Sequence, residues 1–247
     1  MKRLLLRSLT ILLLPASAFA ASASGGSIPI FGNGPNGGIT LSTPMQIAVF
    51  MTLMTLLPAA IMSVTPFLRI TIVLHFLRQA LGTQTTPSNQ IVIGLGLFLS
   101  LLVMQPVISD VYHKGWEPVE NGQMTLQQGL DEGAKPLKTF LVRFAREKDI
   151  KTFLEISHSA APRTPGDLEL KVLIPAYILS ELKAGFQIGA VLFLPFLIID
   201  LVVASVTLSI GMVQLPPAMI SAPFKILLFV LVDGWSLVIG SLMKTFY

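Results

Sequence analysis

Residues 175–247 read PAYILSELKAGFQIGAVLFLPFLIIDLVVASVTLSIGMVQLPPAMISAPFKILLFVLVDGWSLVIGSLMKTFY. Two long apolar runs are broken once, by GMVQLPP at 211–217, and Glu181, Asp200, Lys225 and Asp233 sit in or beside them. Inside a bilayer, backbone groups freed by a Gly…Pro-Pro break must be satisfied by protein or by a water-filled cavity. A charge in such a helix is costly and calls for a partner or a pathway. The stretch therefore lines a water-accessible path or sits inside an assembly.

The rest of the chain supports a membrane setting. Of 247 residues, 53% are hydrophobic and 12% charged, where a soluble domain carries about 25% charged residues. Mean hydropathy is +0.75. The net charge is only +4 and spread out, which argues against nucleic acid as a partner. There is no cysteine, so disulfide and thiol chemistry are excluded.

The N-terminus has the pattern of a signal peptide over 1–20. Lys2, Arg3 and Arg7 precede a short apolar core, and Ala18-Phe19-Ala20 fits a small-x-small cleavage site, with cleavage after Ala20. A flexible leader rich in Gly, Ser, Asn and Pro covers 21–43. Thr43-Pro44 opens a first apolar helix running to Gly82, kinked at Pro58 and Pro66. A second runs from Ile91 to Ser109, so the N-terminal hydrophobic helices occupy 44–109.

Composition then shifts. Every Asp and Glu except Asp200 and Asp233 lies between Asp110 and Glu181, so 110–174 reads as a polar helical region. Thr125 and Gln128 form a capping-box pattern, and Leu137, Phe140, Leu141 and Phe144 recur at helical spacing. The carboxylates alternate with Lys and Arg, as on a solvated face. The C-terminal hydrophobic helices fill 175–247. No strand pattern or internal repeat is visible, so the fold reads as all-α: kinked hydrophobic helices plus a small helical extracytoplasmic domain. The connection carrying Arg69 and Arg78 has no acid and reads as cytoplasmic, which puts the mixed-charge region outside.

No phosphate-binding loop, HExxH motif or nucleophile elbow occurs. His75, His113 and His158 are too dispersed for a metal site. No catalytic residue, metal or cofactor is expected. The embedded charges Glu181, Lys225, Asp200, Asp233 and Arg69 are instead candidates for pairing between helices or subunits. Glu181 with Lys225 of an adjacent subunit is the expected pair, since neither has an evident partner nearby. Gly185 and Gly189 form a small-xxx-small pattern for close helix packing. Gly211, Met212, Val213, Gln214, Leu215, Pro216, Pro217 and Met219 make a candidate gate, because soft methionine side chains can seal an irregular constriction.

The chain resembles the FliP family of type III secretion export-gate proteins. The resemblance rests on PAYILSELKAGFQIG at 175–189, PFKILLFVLVDGW at 223–235, TPFLRI at 65–70, RQALG at 78–82, Asn89-Gln90 and FLIIDL at 196–201. It implies a core pore-forming subunit of the flagellar export gate in the bacterial inner membrane and flagellar basal body. It also implies a helical ring-like homo-oligomer with FliR and FliQ, working with FlhB and FlhA and passing unfolded export substrates. Much of the complex would lie on the periplasmic side, so the four spans that hydropathy gives, two before and two after the polar region, would fail as geometry. The family's methionine-rich loop maps onto 211–219. Relatives often carry several consecutive methionines after the glycine, whereas this chain has Met212-Val213-Gln214. The competing classes are a small-solute or ion channel or transporter, and a purely structural basal-body scaffold.

Overall fold

The structure, a computed structural model, describes residues 43–83, 86–159, 162, 164–211 and 216–247. The expected signal peptide over 1–20, its cleavage at Ala20 and the leader as far as residue 42 lie outside the described residues. The chain divides into two compact units, Met1–Leu56 and Leu57–Tyr247. The boundary falls within helix α1, Thr43–Ser63.

Eight further helices follow among the described residues. They are α2 Phe67–Ala80, α3 Asn89–Val111, α4 Glu117–Glu120, α5 Leu126–Phe144, α6 Glu147–Ile156, α7 Leu170–Ser209, α8 Pro217–Leu231 and α9 Gly234–Met243. A π-helical turn, Tyr112–Trp116, joins α3 to α4. No strand occurs among the described residues. The protein is all-α. Three helices, Pro44–Ser63, Asn89–Glu120 and Leu170–Ser209, are long and apolar enough to cross a membrane, and α8 with α9 forms a bent fourth candidate.

Two breaks differ from the sequence reading. The first apolar helix is not continuous to Gly82: it stops at Ser63 and restarts at Phe67. Pro58 leaves α1 intact, but Pro66 takes the N-cap position of α2. Proline disfavours helical geometry at the residue before it, and Pro66, fully buried where Pro58 is exposed, is the one that separates two helices. The C-terminal apolar stretch is broken twice. Besides the 211–217 break, α8 and α9 meet at 68° around Val232 and Asp233.

The core of the larger unit forms where α2, α3, α5 and α7 meet. Ile70, Val73, Leu74 and Leu77 of α2 are fully or almost fully buried, at the i, i+3, i+4, i+7 spacing of one helix face. They join Val92, Leu99 and Val103 of α3, Phe140 and Leu141 of α5, and Val172, Leu173 and Tyr177 of α7. The start of α5 is fixed by a capping box: Gln128 N donates to Thr125 Oγ1 at 3.3 Å, and Thr125 N to Gln128 Oε1 at 3.0 Å. Each bond satisfies a donor that the helix itself leaves open.

Candidate functional site

The first turn of α2 points an arginine into the core. Arg69 Nε donates to Glu181 Oε2 of α7 at 2.9 Å, and Nη2 donates to Glu181 Oε1. The guanidinium thus grips both carboxylate oxygens, the geometry in which arginine pairs best. Glu181 is 0% exposed and Arg69 6%. The third donor, Nη1, reaches Thr245 Oγ1 at 3.2 Å. The flat face of Arg69 lies 4.3 Å from the Phe246 ring centre and 5.5 Å from that of Phe144, a cation–π arrangement. One ion pair therefore ties α2, α5, α7 and the chain beyond α9. Tyr177, one helical turn before Glu181, is buried, and its hydroxyl meets no partner among the described residues.

A second ion pair joins α7 to α8. Lys225 Nζ of α8 donates to Asp200 Oδ2 of α7 at 2.6 Å, and Ser221 donates to Asp200 Oδ1. Ser221 lies one turn before Lys225, so both donors come from one face of α8. The structure thus removes the premise of a Glu181–Lys225 pairing. Neither residue lacks compensation: each has an opposite charge in its own chain.

A third pair corrects the view of the polar region as a solvated face. Asp149 of α6 is 1% exposed. Its carboxylate accepts from Lys183 Nζ and, at 2.8 Å, from Ser180 Oγ, both on α7. Burial pushes this carboxyl up, but the hydrogen bonds from Lys183 and Ser180 and the charges of Lys183 and Arg146 reverse that, leaving it below its ordinary 3.8. Arg146 N also donates to Ser180 Oγ at 2.9 Å. The polar helix α6 is thereby fastened to the apolar α7.

Gly185 and Gly189 lie on α7 against α2. A Cβ on Gly185 would meet Ile72 at 3.0 Å, and one on Gly189 would meet the Phe76 ring at 2.6 Å. The missing side chains let the two helices approach closely. Asp233 has φ 49°, directly before α9, and makes no capping bond. Of the gate residues, Gly211 has φ 81° and closes α7, with its N–H donating to Leu208 O at 3.0 Å. Pro216 and Pro217 open α8, where proline's missing N–H is no loss. Met219 is exposed. Met212, Val213, Gln214 and Leu215 lie outside the described residues. Among those described, no three His, Cys, Asp or Glu side chains gather as metal ligands would.

Sequence reasoning singled out Arg69, Glu181, Asp200 and Lys225 but not who pairs with whom. It missed Thr245, Phe246, Ser221 and the Asp149–Lys183–Ser180 cluster. The available signal for Asp149 was its place one turn before Phe153, on the apolar face of a short amphipathic helix.

Helices of this length and apolarity, with ion pairs buried between them, define an all-α membrane protein. The FliP family pattern matches residues 50–242. The chain is similar to the flagellar biosynthetic protein FliP of Pectobacterium carotovorum subsp. carotovorum, 47% identical over 213 residues, or 86% of this chain and 83% of that protein. It is 42% identical over 241 residues to the flagellar biosynthetic protein FliP of Caulobacter vibrioides, covering 98% of this chain and 88% of the other. It is 42% identical over 206 residues to that of Bacillus subtilis, covering 83% and 93%. The chain belongs to the FliP family.

Proposed function

We propose that this chain is a core subunit of the flagellar type III protein export gate, and that copies of it form the pore for unfolded flagellar substrates. The observation that carries this reading is the family match over 50–242, with relatives named flagellar biosynthetic proteins. The mechanism is passive: the subunits make the path, and other components supply the energy. The chain is accordingly a channel component and not an enzyme. The assembly comprises several copies with FliR and FliQ, and with FlhB and FlhA nearby, in the bacterial inner membrane at the basal body. On this reading 1–20 is removed after Ala20, and 110–174 faces the periplasm.

The gate is the 211–219 loop. Gly211 at positive φ and Pro216–Pro217 at the start of α8 give a connection that neither helix can extend through. Met212, Val213, Gln214, Leu215 and Met219 then form the seal, partly methionine and partly not. Small residues at Met212, Gln214 and Met219 together should make cells leak ions, measured as membrane conductance. Unchanged conductance in that triple variant moves the gate elsewhere.

The competing readings are a small-solute or ion channel, or a basal-body scaffold without a pore. Native mass measurement of the complex purified from its own membranes separates them. Co-purifying FliQ and FliR support the gate; a lone homo-oligomer favours the channel.

A further inference from the structure

A recess of about 530 Å³ opens between α3, α5 and the chain beyond α9. Its floor is apolar, made by Val103 and Val107 of α3, Phe140 and Phe144 of α5, and Phe246. Its rim is charged. Asp110 and Lys114 stand at the end of α3, and Glu132, Lys135 and Arg143 along α5. No Asp, Glu, Lys or Arg lies between Arg78 and Asp110. The recess therefore straddles the point where apolar chain gives way to charged chain, as the two ends of an amphiphile would require.

The rim carries both signs side by side. Lys114 Nζ donates to Asp110 Oδ2 at 2.6 Å, and Lys135 pairs with Glu132. Each pair lies within one turn of its own helix and faces solvent, where such pairs are worth little and exchange partners readily. Arg143 is exposed and meets no carboxylate side chain among the described residues. Its Nη2 donates to the main-chain oxygen of Tyr247 at 3.2 Å. Its guanidinium lies 5.4 Å from the centre of the Phe144 ring, so this charge adjoins the apolar floor directly. An apolar floor edged by a few placed polar groups is the usual form of a small-molecule site. Here the edge complements a head that is itself of both signs.

We propose that the recess binds one phospholipid whose zwitterionic head carries a primary ammonium, the phosphatidylethanolamine class. The acyl chain lies on the Val107 and Phe140 floor. Arg143 takes the phosphate, whose oxygens match the fork of guanidinium donors. Asp110 and Glu132 take the ammonium, which offers them three N–H donors. A quaternary ammonium has no N–H to give a carboxylate, and an anionic head would set a like charge against both acids. The proposal needs the membrane setting of the chain and not the export-gate reading, so failure of either leaves the other standing.

The test strips lipid from the full chain, purified in detergent from its own membranes. It then titrates the chain with dioleoyl phosphatidylethanolamine, phosphatidylcholine or phosphatidylglycerol and counts bound lipid by native mass spectrometry. One phosphatidylethanolamine per chain is expected, held about tenfold more tightly than the other two. Arg143→Gln should weaken phosphatidylethanolamine and phosphatidylcholine alike, by about tenfold. Asp110→Asn together with Glu132→Gln should abolish the preference between those two lipids and leave phosphatidylcholine binding as it was. Val107→Asp, which charges the floor, should weaken all three. Circular dichroism checks each fold, and the rim variants decide the matter if Val107→Asp does not fold. In its own membranes, a photoreactive benzoyl-phenylalanine at Thr139, exposed beside the recess, should give an adduct on lipid. Equal binding of phosphatidylethanolamine and phosphatidylcholine overturns the proposal, as does tighter binding of phosphatidylglycerol or binding indifferent to Arg143→Gln. So does displacement of the lipid by inorganic phosphate alone, or a Thr139 adduct on protein.

Discussion

At Glu181 the chain holds a fully buried carboxylate whose charge is met by one arginine. Removing one partner of such a pair leaves the other charged and buried, which costs about 3–5 kcal/mol, whereas replacing both with apolar residues of similar size is often neutral. Glu181→Leu and Arg69→Met should each lower the unfolding midpoint in detergent by more than the double variant does. A double variant worse than either single would show that Thr245 and Phe246 need the arginine for their own placement. Asp149 gives a pH signature. Its carboxyl is held below 3.8 in the folded chain, so its contribution to stability is complete above that value and is lost as pH falls through the folded value. Hydrogen exchange at α6 should rise below about pH 4 and be less pH-dependent in Asp149→Asn. An acid response unchanged by that substitution assigns the acid limb to other carboxylates.

At the scale of elements, the α2–α7 contact is set by missing atoms. Gly189→Ala puts a methyl 2.6 Å from the Phe76 ring, and overpacking of this kind costs about 1–3 kcal/mol. Thermal unfolding should show that loss, and Phe76→Leu in the same chain should recover most of it. Gly240→Ala in α9, where a Cβ meets nothing within 4 Å, should be neutral or stabilising by up to about 1 kcal/mol. The helices themselves were legible in the sequence: the capping box at Thr125 and Gln128, the apolar repeat in α5, and the glycine after α7 are local signals with local consequences. Two breaks were not. Pro58 and Pro66 look alike in sequence, and only the packing of α2 distinguishes a tolerated proline from one that ends a helix. Asp233 adopts positive φ inside an apolar run. An aspartate tolerates that conformation without demanding it, so the bend leaves little trace in composition.

For the whole molecule, the pairing of charges is what sequence could not supply. Helical periodicity reaches a few turns, while Arg69 meets Glu181 across 112 positions and Thr245 across 176. The expected Glu181–Lys225 pair came from taking both residues as otherwise uncompensated; the topology instead brings Arg69 to Glu181 and Lys225 to Asp200, both acids lying on α7. Phe246 makes this dependence measurable. It is 3% exposed and covers the Arg69 guanidinium. Phe246→Ala should cost about 3–5 kcal/mol and raise hydrogen exchange in α2 as well as around residue 246. A response confined to 240–247 would show that the ion pair stands without its aromatic cover.

The same long-range closure gives the protein a history as well as a shape. Translation adds about 5–20 residues per second, so Arg69 is made roughly 6–22 s before Glu181 can reach it across 112 positions. Its contact with Thr245 must wait for almost the whole chain. During that interval the nascent polypeptide carries an unanswered arginine beside apolar helices already leaving the ribosome.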